Sequence, residues 1–278
     1  MTMRSPTDDA AATRVISALT IAGSDSGGGA GIQTDLKTFA AHGVHGLSAI
    51  TALTAQHTRG VTAVHAPDVG FLRAQIDACF DDFDVRAVKL GMLATAEIIH
   101  AVADALERRA LAAIVVDPVM VATSGAKLLA DDALDALRTR LVPMATVLTP
   151  NLPEAELLLG RAIAPGADAD AALGELLDLG ANAVLLKGGH LAEADVIDRF
   201  GSGVLRANFR SPRLPVEGHG TGCTLASAIA ANLALGETAQ QACRNGTSFI
   251  AGALAGSYRP GRGDVVVLDP FWRFRTSA

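Results

Sequence analysis

The sequence predicts an α/β fold: a mostly parallel sheet with helices on both faces. Three observations carry that prediction. Apolar runs of strand length alternate with helix-period runs almost from end to end. The run Ala113–Met120, AIVVDPVM, is apolar on both faces, as a central parallel strand must be. Glycine, asparagine, acid and lysine residues cluster just after the apolar runs, where open α/β sheets bind ligands.

Taken in order, Met1–Thr13 is polar and Ala-rich and reads as a frayed tail, leaving one domain over residues 14–278. Strands are expected at Val15–Ala22, Gly46–Leu53, Ala87–Leu93, Ala113–Met120, Thr146–Thr149 and Ala183–Lys187, each a short apolar run. Helices are expected at Ile32–Ala41, Val69–Phe80, Ala94–Arg109, Asp131–Leu141, Pro153–Leu159 and Ala171–Leu179, where the apolar period is helical. The alternation then breaks. Asp195–Phe200 and Val204–Phe209 flank Gly201-Ser-Gly203 and predict a hairpin at the sheet edge. The stretch Glu217–Ala231, EGHGTGCTLASAIAA, follows, opening two long helices, Thr221–Leu235 and Thr238–Ala255.

The chain has 278 residues, half of them apolar, and a net charge of -6. That balance argues against sequence-independent nucleic-acid binding, which needs a basic excess. No apolar run approaches membrane length and no signal-peptide pattern opens the chain, so no membrane is expected. The cysteines, Cys79, Cys223 and Cys243, are odd in number and form no CxxC pair, which points to a reducing cytoplasm. The histidines do not fall at zinc-ligand spacing. Cys79 and Cys243 lie inside helical patterns and read as core residues.

Gly218, Gly220 and Gly222 open directly into a helix, leaving backbone N–H groups unpaired and aimed at one point. The helix dipole adds partial positive charge there, so the end suits a phosphate. Cys223 stands in the first turn. By itself the pattern is equally a glycine turn before a buried helix. The other strand ends add candidates. Gly23–Gly31 is Gly-rich but lacks both the dinucleotide and the Walker patterns. Asp35 either faces that loop or is a first-turn helix acid. In Thr54–Gly60, read as a loop, Gln56 carries a donor pair and an acceptor on one amide, which can pair edge-on with an aminopyrimidine. Met92 is core or an apolar cover for a flat ring. Asp117 interrupts a buried strand, which is costly unless the carboxylate is paired or near a metal. Asn151 and Glu154 have the spacing of a capping box, and equally that of a water-mediated Mg²⁺ and phosphate site. Lys187 can neutralise a polyphosphate. Val121–Lys127, with Gly125 and small neighbours, allows a loop to close over a nucleotide.

The segments ALTIAGSDSGGGAGIQTDLKTFAAHG, ITALTAQHTRG, KLGMLA, DPVM, LTPNLPEAELL, LLKGGH and GHGTGCTLASAIAA, in this order, closely resemble the hydroxymethylpyrimidine/phosphomethylpyrimidine kinases of thiamin biosynthesis. These belong to the ribokinase-like superfamily. The match runs from about Ala18 to beyond Leu235. The resemblance implies a three-layer α/β/α fold without a large separate lid. It implies two phosphoryl transfers from Mg-ATP, the first to the alcohol 4-amino-5-hydroxymethyl-2-methylpyrimidine and the second to its monophosphate. It puts Gly23, Asp35, Gln56, Met92 and Val119 around the pyrimidine. It sets Asn151, Glu154 and Asp117 toward Mg²⁺ (through water) and phosphate. Lys187 and the turn Gly220, Thr221, Gly222 and Cys223 fall near the ATP phosphates. A homodimer is also implied. Most ribokinase-like sugar kinases end this turn in Gly-Ala-Gly-Asp with the acid as base. This chain has Cys223 there, so the thiol is either a thiolate base or a donor at the anion pocket. His219, beside the turn, has a phosphate contact or a structural role.

Pyridoxal kinase is the nearest alternative, since pyridoxal is also a flat heteroaromatic alcohol. A non-catalytic pyrimidine-binding regulator would be expected to lose Cys223, Asn151, Glu154 or Lys187, and all are present. The missing dinucleotide fingerprint weighs against a nicotinamide dehydrogenase.

Overall fold

The run Ser17–Ala22 is buried at every position because its side chains alternate between two apolar layers. Leu19 and Ile21 enter one layer and Ala18 the other. The computed structural model describes residues 15–109, 113–120, 129–130, 132–164, 166–189, 195–216 and 218–275. The expected tail and the closing loop Val121–Lys127 lie outside the described residues.

The elements run β1 (Ser17–Ala22), α1 (Gly31–Ala41), β2 (His45–Ile50), β3 (Leu53–His57), β4 (Gly60–His65), α2 (Val69–Asp82), β5 (Val85–Leu90), α3 (Ala96–Glu107) and β6 (Ala113–Val116). Then come α4 (Ala133–Ala136), β7 (Val147–Leu148), α5 (Leu152–Leu159), α6 (Ala167–Asp178), β8 (Val184–Leu186), β9 (Asp195–Ser202) and β10 (Leu205–Pro212). The chain finishes with β11 (Gly218–His219), α7 (Thr221–Ala234), α8 (Ala239–Ala255) and β12 (Val266–Val267).

Eight strands form one sheet in the order β10-β9-β8-β7-β6-β5-β1-β2. The run from β8 to β2 is parallel, and β9 and β10 add antiparallel at one edge as the expected hairpin. Helices α2 to α6 cover one face, and α1, α7 and α8 the other. The strand order reverses between β1 and β5, so a crevice opens at the carboxyl ends of those two strands. Helix α7 lies across β1, β5 and β6. It can do so closely because Ala226, Ala228, Ala230 and Ala231 are small and fully buried. Its first turn therefore meets the crevice.

The structure departs from expectation at several points. The segment around Gln56 is a hairpin, β3 with β4, forming its own antiparallel sheet. Its residues are mostly exposed or half-buried, so no apolar run announced it. The fourth strand ends at Val116, leaving Asp117 just beyond it. The expected helix Asp131–Leu141 is the short α4 followed by a π-helical turn, Leu137–Leu141. In the edge hairpin, Gly201 and Ser202 belong to β9 and the turn sits at Gly203, whose φ is +52°. Two-residue β11 and β12 pair in parallel and draw the C-terminal segment against the glycine turn. Cys243 is buried, as expected, and Cys79 packs half-buried against the core.

Candidate active site

A cavity of about 820 Å³ opens at the crevice. Helices α2, α3, α5 and α8 each start on a side chain that accepts a hydrogen bond from the first turn. Helix α7 starts on Gly220 and has no such cap, so its leading N–H groups are left for the cavity. Gly220 has φ +83°, and a Cβ there would lie 2.0 Å from the Gly29 carbonyl oxygen. The turn and the Gly-rich loop after β1 are thus packed backbone to backbone, which only glycine permits.

Beside the turn lies a charged cluster. Lys187 Nζ donates to Asp117 Oδ1 at 2.9 Å and lies 3.6 Å from Glu154 Oε2. Thr149 Oγ1 also donates to Asp117 Oδ1, at 3.1 Å. Asn151 and Glu154 form a reciprocal capping box on α5: the Asn151 N–H donates to Glu154 Oε2 at 2.7 Å, and the Glu154 N–H to Asn151 Oδ1 at 2.9 Å. Capping and a site role are therefore compatible, since one carboxylate oxygen caps and the other stays available. Burial pushes the Glu154 carboxyl up to about 7, against the pull of Lys187. Burial also works against the Lys187 charge, but Asp117 and Glu154 outweigh it and hold the ammonium above the usual lysine range. Gly222 makes this closeness possible, because a Cβ there would lie 3.2 Å from Lys187 Nζ and 3.5 Å from Asp117 Oδ2.

The donor set suits a hard cation. Among the described residues no group of three or more His, Cys, Asp or Glu side chains could hold a metal by itself. Asp117 and Glu154 together offer two carboxylates in the cavity wall, each with one oxygen outside the hydrogen bonds above. Mg²⁺ is held that way, by one or two carboxylates with waters and substrate phosphates completing its shell.

Cys223 is half-buried in the cavity wall. Burial pushes the thiol up to about 11; Lys89 pulls the other way, while Asp35 and Asp117 push further. At neutral pH the thiol keeps its proton.

The cavity lining also has an apolar part and the Gln56 amide. Gly23 and Met92 close on each other, a Cβ on Gly23 lying 2.5 Å from Met92 Cε. Val119 and Gln56 line the same cavity. The structure thus gathers Gly23, Gln56, Met92, Val119, Asp117, Asn151, Glu154, Lys187, Gly220, Thr221, Gly222 and Cys223 around one space.

Asp35 is the correction. It is fully buried and does not line the cavity. Its carboxylate accepts from Thr20 Oγ1 at 2.7 Å, Ser227 Oγ at 2.7 Å and Lys89 Nζ at 2.9 Å, so no valence is turned to a ring. It anchors Lys89 beneath the site and ties α1 to α7. Leaving either member of a buried pair uncompensated costs about 3–5 kcal/mol. Burial works against the Lys89 charge, but Asp35 holds it above the usual lysine range. Lys89 itself lines the cavity and escaped the sequence reading. Its signal was available: a charge inside a buried strand, the same argument that singled out Asp117. Asp25 escaped too. Its carboxylate accepts from the N–H groups of Gly27, Gly29 and Ala30 and from His219 Nε2. Burial opposes its ionisation, but His219 and the backbone donors outweigh it and hold Asp25 below the usual carboxylate range.

A family model described as phosphomethylpyrimidine kinase matches residues 25–268. The chain is 50% identical over 263 residues to the hydroxymethylpyrimidine/phosphomethylpyrimidine kinase of Rhizobium meliloti, covering 92% of this chain and 98% of that protein. Among solved structures it is similar to a phosphomethylpyrimidine kinase from Clostridium difficile, with TM-score 0.78 and 43% identity over 86% of this chain and 99% of that one. It is also similar to the pyridoxal kinase from Staphylococcus aureus in complex with pyridoxal, with TM-score 0.87 and 31% identity over 95% of this chain and 96% of that one.

Proposed function

The chain belongs to the phosphomethylpyrimidine kinase family, and from that premise we propose how its residues divide the work of a thiamin-biosynthesis kinase. The enzyme phosphorylates 4-amino-5-hydroxymethyl-2-methylpyrimidine and then the resulting monophosphate, with ATP as donor. The carrying observation is the single cavity lined both by the Gln56 amide and by the uncapped start of α7.

Gln56 takes the polar edge of the ring, and Met92, Val119 and Gly23 take its faces. The carbinol then points toward the Gly220–Cys223 turn. Phosphoryl transfer asks mainly for positioning and charge neutralisation. Backbone N–H groups of the turn receive the transferring phosphoryl oxygens, and Lys187 spreads the remaining charge. Asp117 and Glu154 would hold Mg²⁺, which would supply charge neutralisation on the phosphates. Cys223, nearest the expected carbinol, accepts the proton the alcohol must lose. The thiolate that does so is a minor form at neutral pH.

Pyridoxal is the alternative acceptor, favoured by the likeness to the Staphylococcus aureus enzyme. Purified protein should be assayed with ATP and each alcohol, and products resolved by ion-exchange chromatography. The reading expects a pyrimidine monophosphate that is converted to a diphosphate. Turnover of pyridoxal alone, with no pyrimidine diphosphate, would reverse the assignment.

A further inference from the structure

His219 Nε2 lies within hydrogen-bond reach of two groups, Asp25 Oδ2 at 3.0 Å and the Gln56 amide at 3.1 Å. The ring is seated tightly: a Cβ on Gly29 would fall 2.8 Å from His219 Cδ2. Asp25 is an ionised carboxylate that already receives backbone N–H groups, and such a group only accepts. His219 Nε2 must therefore carry a hydrogen, whatever the state of Nδ1. Nε2 then has no lone pair left for the NH₂ of Gln56, and its single hydrogen is shared, as a three-centre bond, between Asp25 Oδ2 and an amide oxygen of Gln56 turned toward it. The oxygen and nitrogen of an amide exchange places by a half-turn, and the network decides between them. The Gln56 backbone does not turn with it. Its N–H donates to Ser26 Oγ at 2.7 Å, and Ser26 Oγ donates back to its carbonyl at 2.8 Å. Only the terminal amide rotates, and His219 orients it with Oε1 toward the imidazole and NH₂ toward the cavity.

We propose that Asp25 and His219 are positioning residues that lock the Gln56 amide in one orientation, so that the site selects a 4-aminopyrimidine edge over a 4-oxo edge. The inference rests on the kinase reading above. The locked amide offers NH₂ to a ring nitrogen that accepts, and the free lone pair of Oε1 to an exocyclic amino group that donates. A 4-oxo ring reverses both polarities at that edge. An unlocked glutamine would turn over and accept it. The locked one meets it donor to donor and acceptor to acceptor, the mismatch that buried polar sites reject most strongly.

The test compares kcat/KM for 4-amino-5-hydroxymethyl-2-methylpyrimidine and its 4-oxo analogue. The wild type is expected to favour the amino compound strongly. His219→Leu should lower that ratio about tenfold or more, the scale of one hydrogen bond to a polar edge, chiefly through KM. His219→Gln, whose amide nitrogen replaces Nε2 as donor, should restore it. An unchanged ratio in His219→Leu, with activity lowered equally on both alcohols, would overturn the locking role and leave the kinase reading standing. A wild type inactive on the amino alcohol would remove the kinase reading and the inference with it. Long-range ¹⁵N NMR of the wild type gives an independent check should His219→Leu not fold: a protonated Nε2 supports the lock, and an unprotonated Nε2 overturns it.

Discussion

Cys223→Ala is expected to slow the first phosphorylation about a hundredfold or more, the range of a general base, and the second less than about tenfold. The asymmetry comes from the acceptors. The alcohol must lose a proton to attack, whereas a phosphate monoester, with second pKa about 6, is already mostly anionic at neutral pH. Single-turnover assays of each step measure it. The raised thiol pKa adds a signature. With the thiol at about 11, roughly one chain in 10⁴ carries the thiolate at pH 7. The wild-type first step should therefore climb with pH, about tenfold per unit above neutrality, while the second stays flat. Cys223→Ala should abolish the climb. Equal slowing of both steps would show that Cys223 is not the base and serves only as part of the anion pocket.

Gly220→Ala is expected to inactivate the enzyme and to destabilise it. A Cβ would sit 2.0 Å from the Gly29 carbonyl oxygen in a left-handed backbone conformation. Strain and overpacking together cost about 2–5 kcal/mol. The turn must also shift, so its N–H groups no longer point at the phosphoryl oxygens, which costs about a hundredfold or more in kcat. Gly222→Ala should separate the two effects. Its Cβ would crowd Lys187 Nζ, 3.2 Å away, at the end of a side chain that can give by a few tenths of an ångström, so kcat falls while the melting temperature moves little. Gly236→Ala is the control. Its φ is +95° with nothing within 4 Å of the added Cβ, so it should cost about 1–2 kcal/mol and leave kcat unchanged. Calorimetry paired with steady-state rates reads all three. A Gly220→Ala enzyme with normal kcat would mean the turn does not bind the transferring group.

How much of this was legible follows from what each residue's neighbours reveal. The central strands were readable because burial on both faces leaves continuous apolar runs such as AIVV. The β3–β4 hairpin was not, since it lies off the main sheet and carries no apolar face. That concealed how Gln56 is presented, although its amide chemistry had singled it out. The Asn151–Glu154 spacing was readable as a capping box, and the box forms. Asp35 was misplaced because sequence position does not say which face of α1 it joins. Its helical spacing with Ile32 and Phe39, both buried, was the overlooked sign. The contact between Gln56 and His219 spans 163 residues of chain, and no local pattern reports such a meeting.

The most direct test of the account is a crystal structure with 4-amino-5-hydroxymethyl-2-methylpyrimidine soaked into the cavity. The account predicts the ring edge on the Gln56 amide, its faces against Met92 and Val119, and its carbinol oxygen turned toward Gly220–Cys223. A ring bound away from Gln56, or one whose carbinol points from the α7 turn toward solvent, would contradict it.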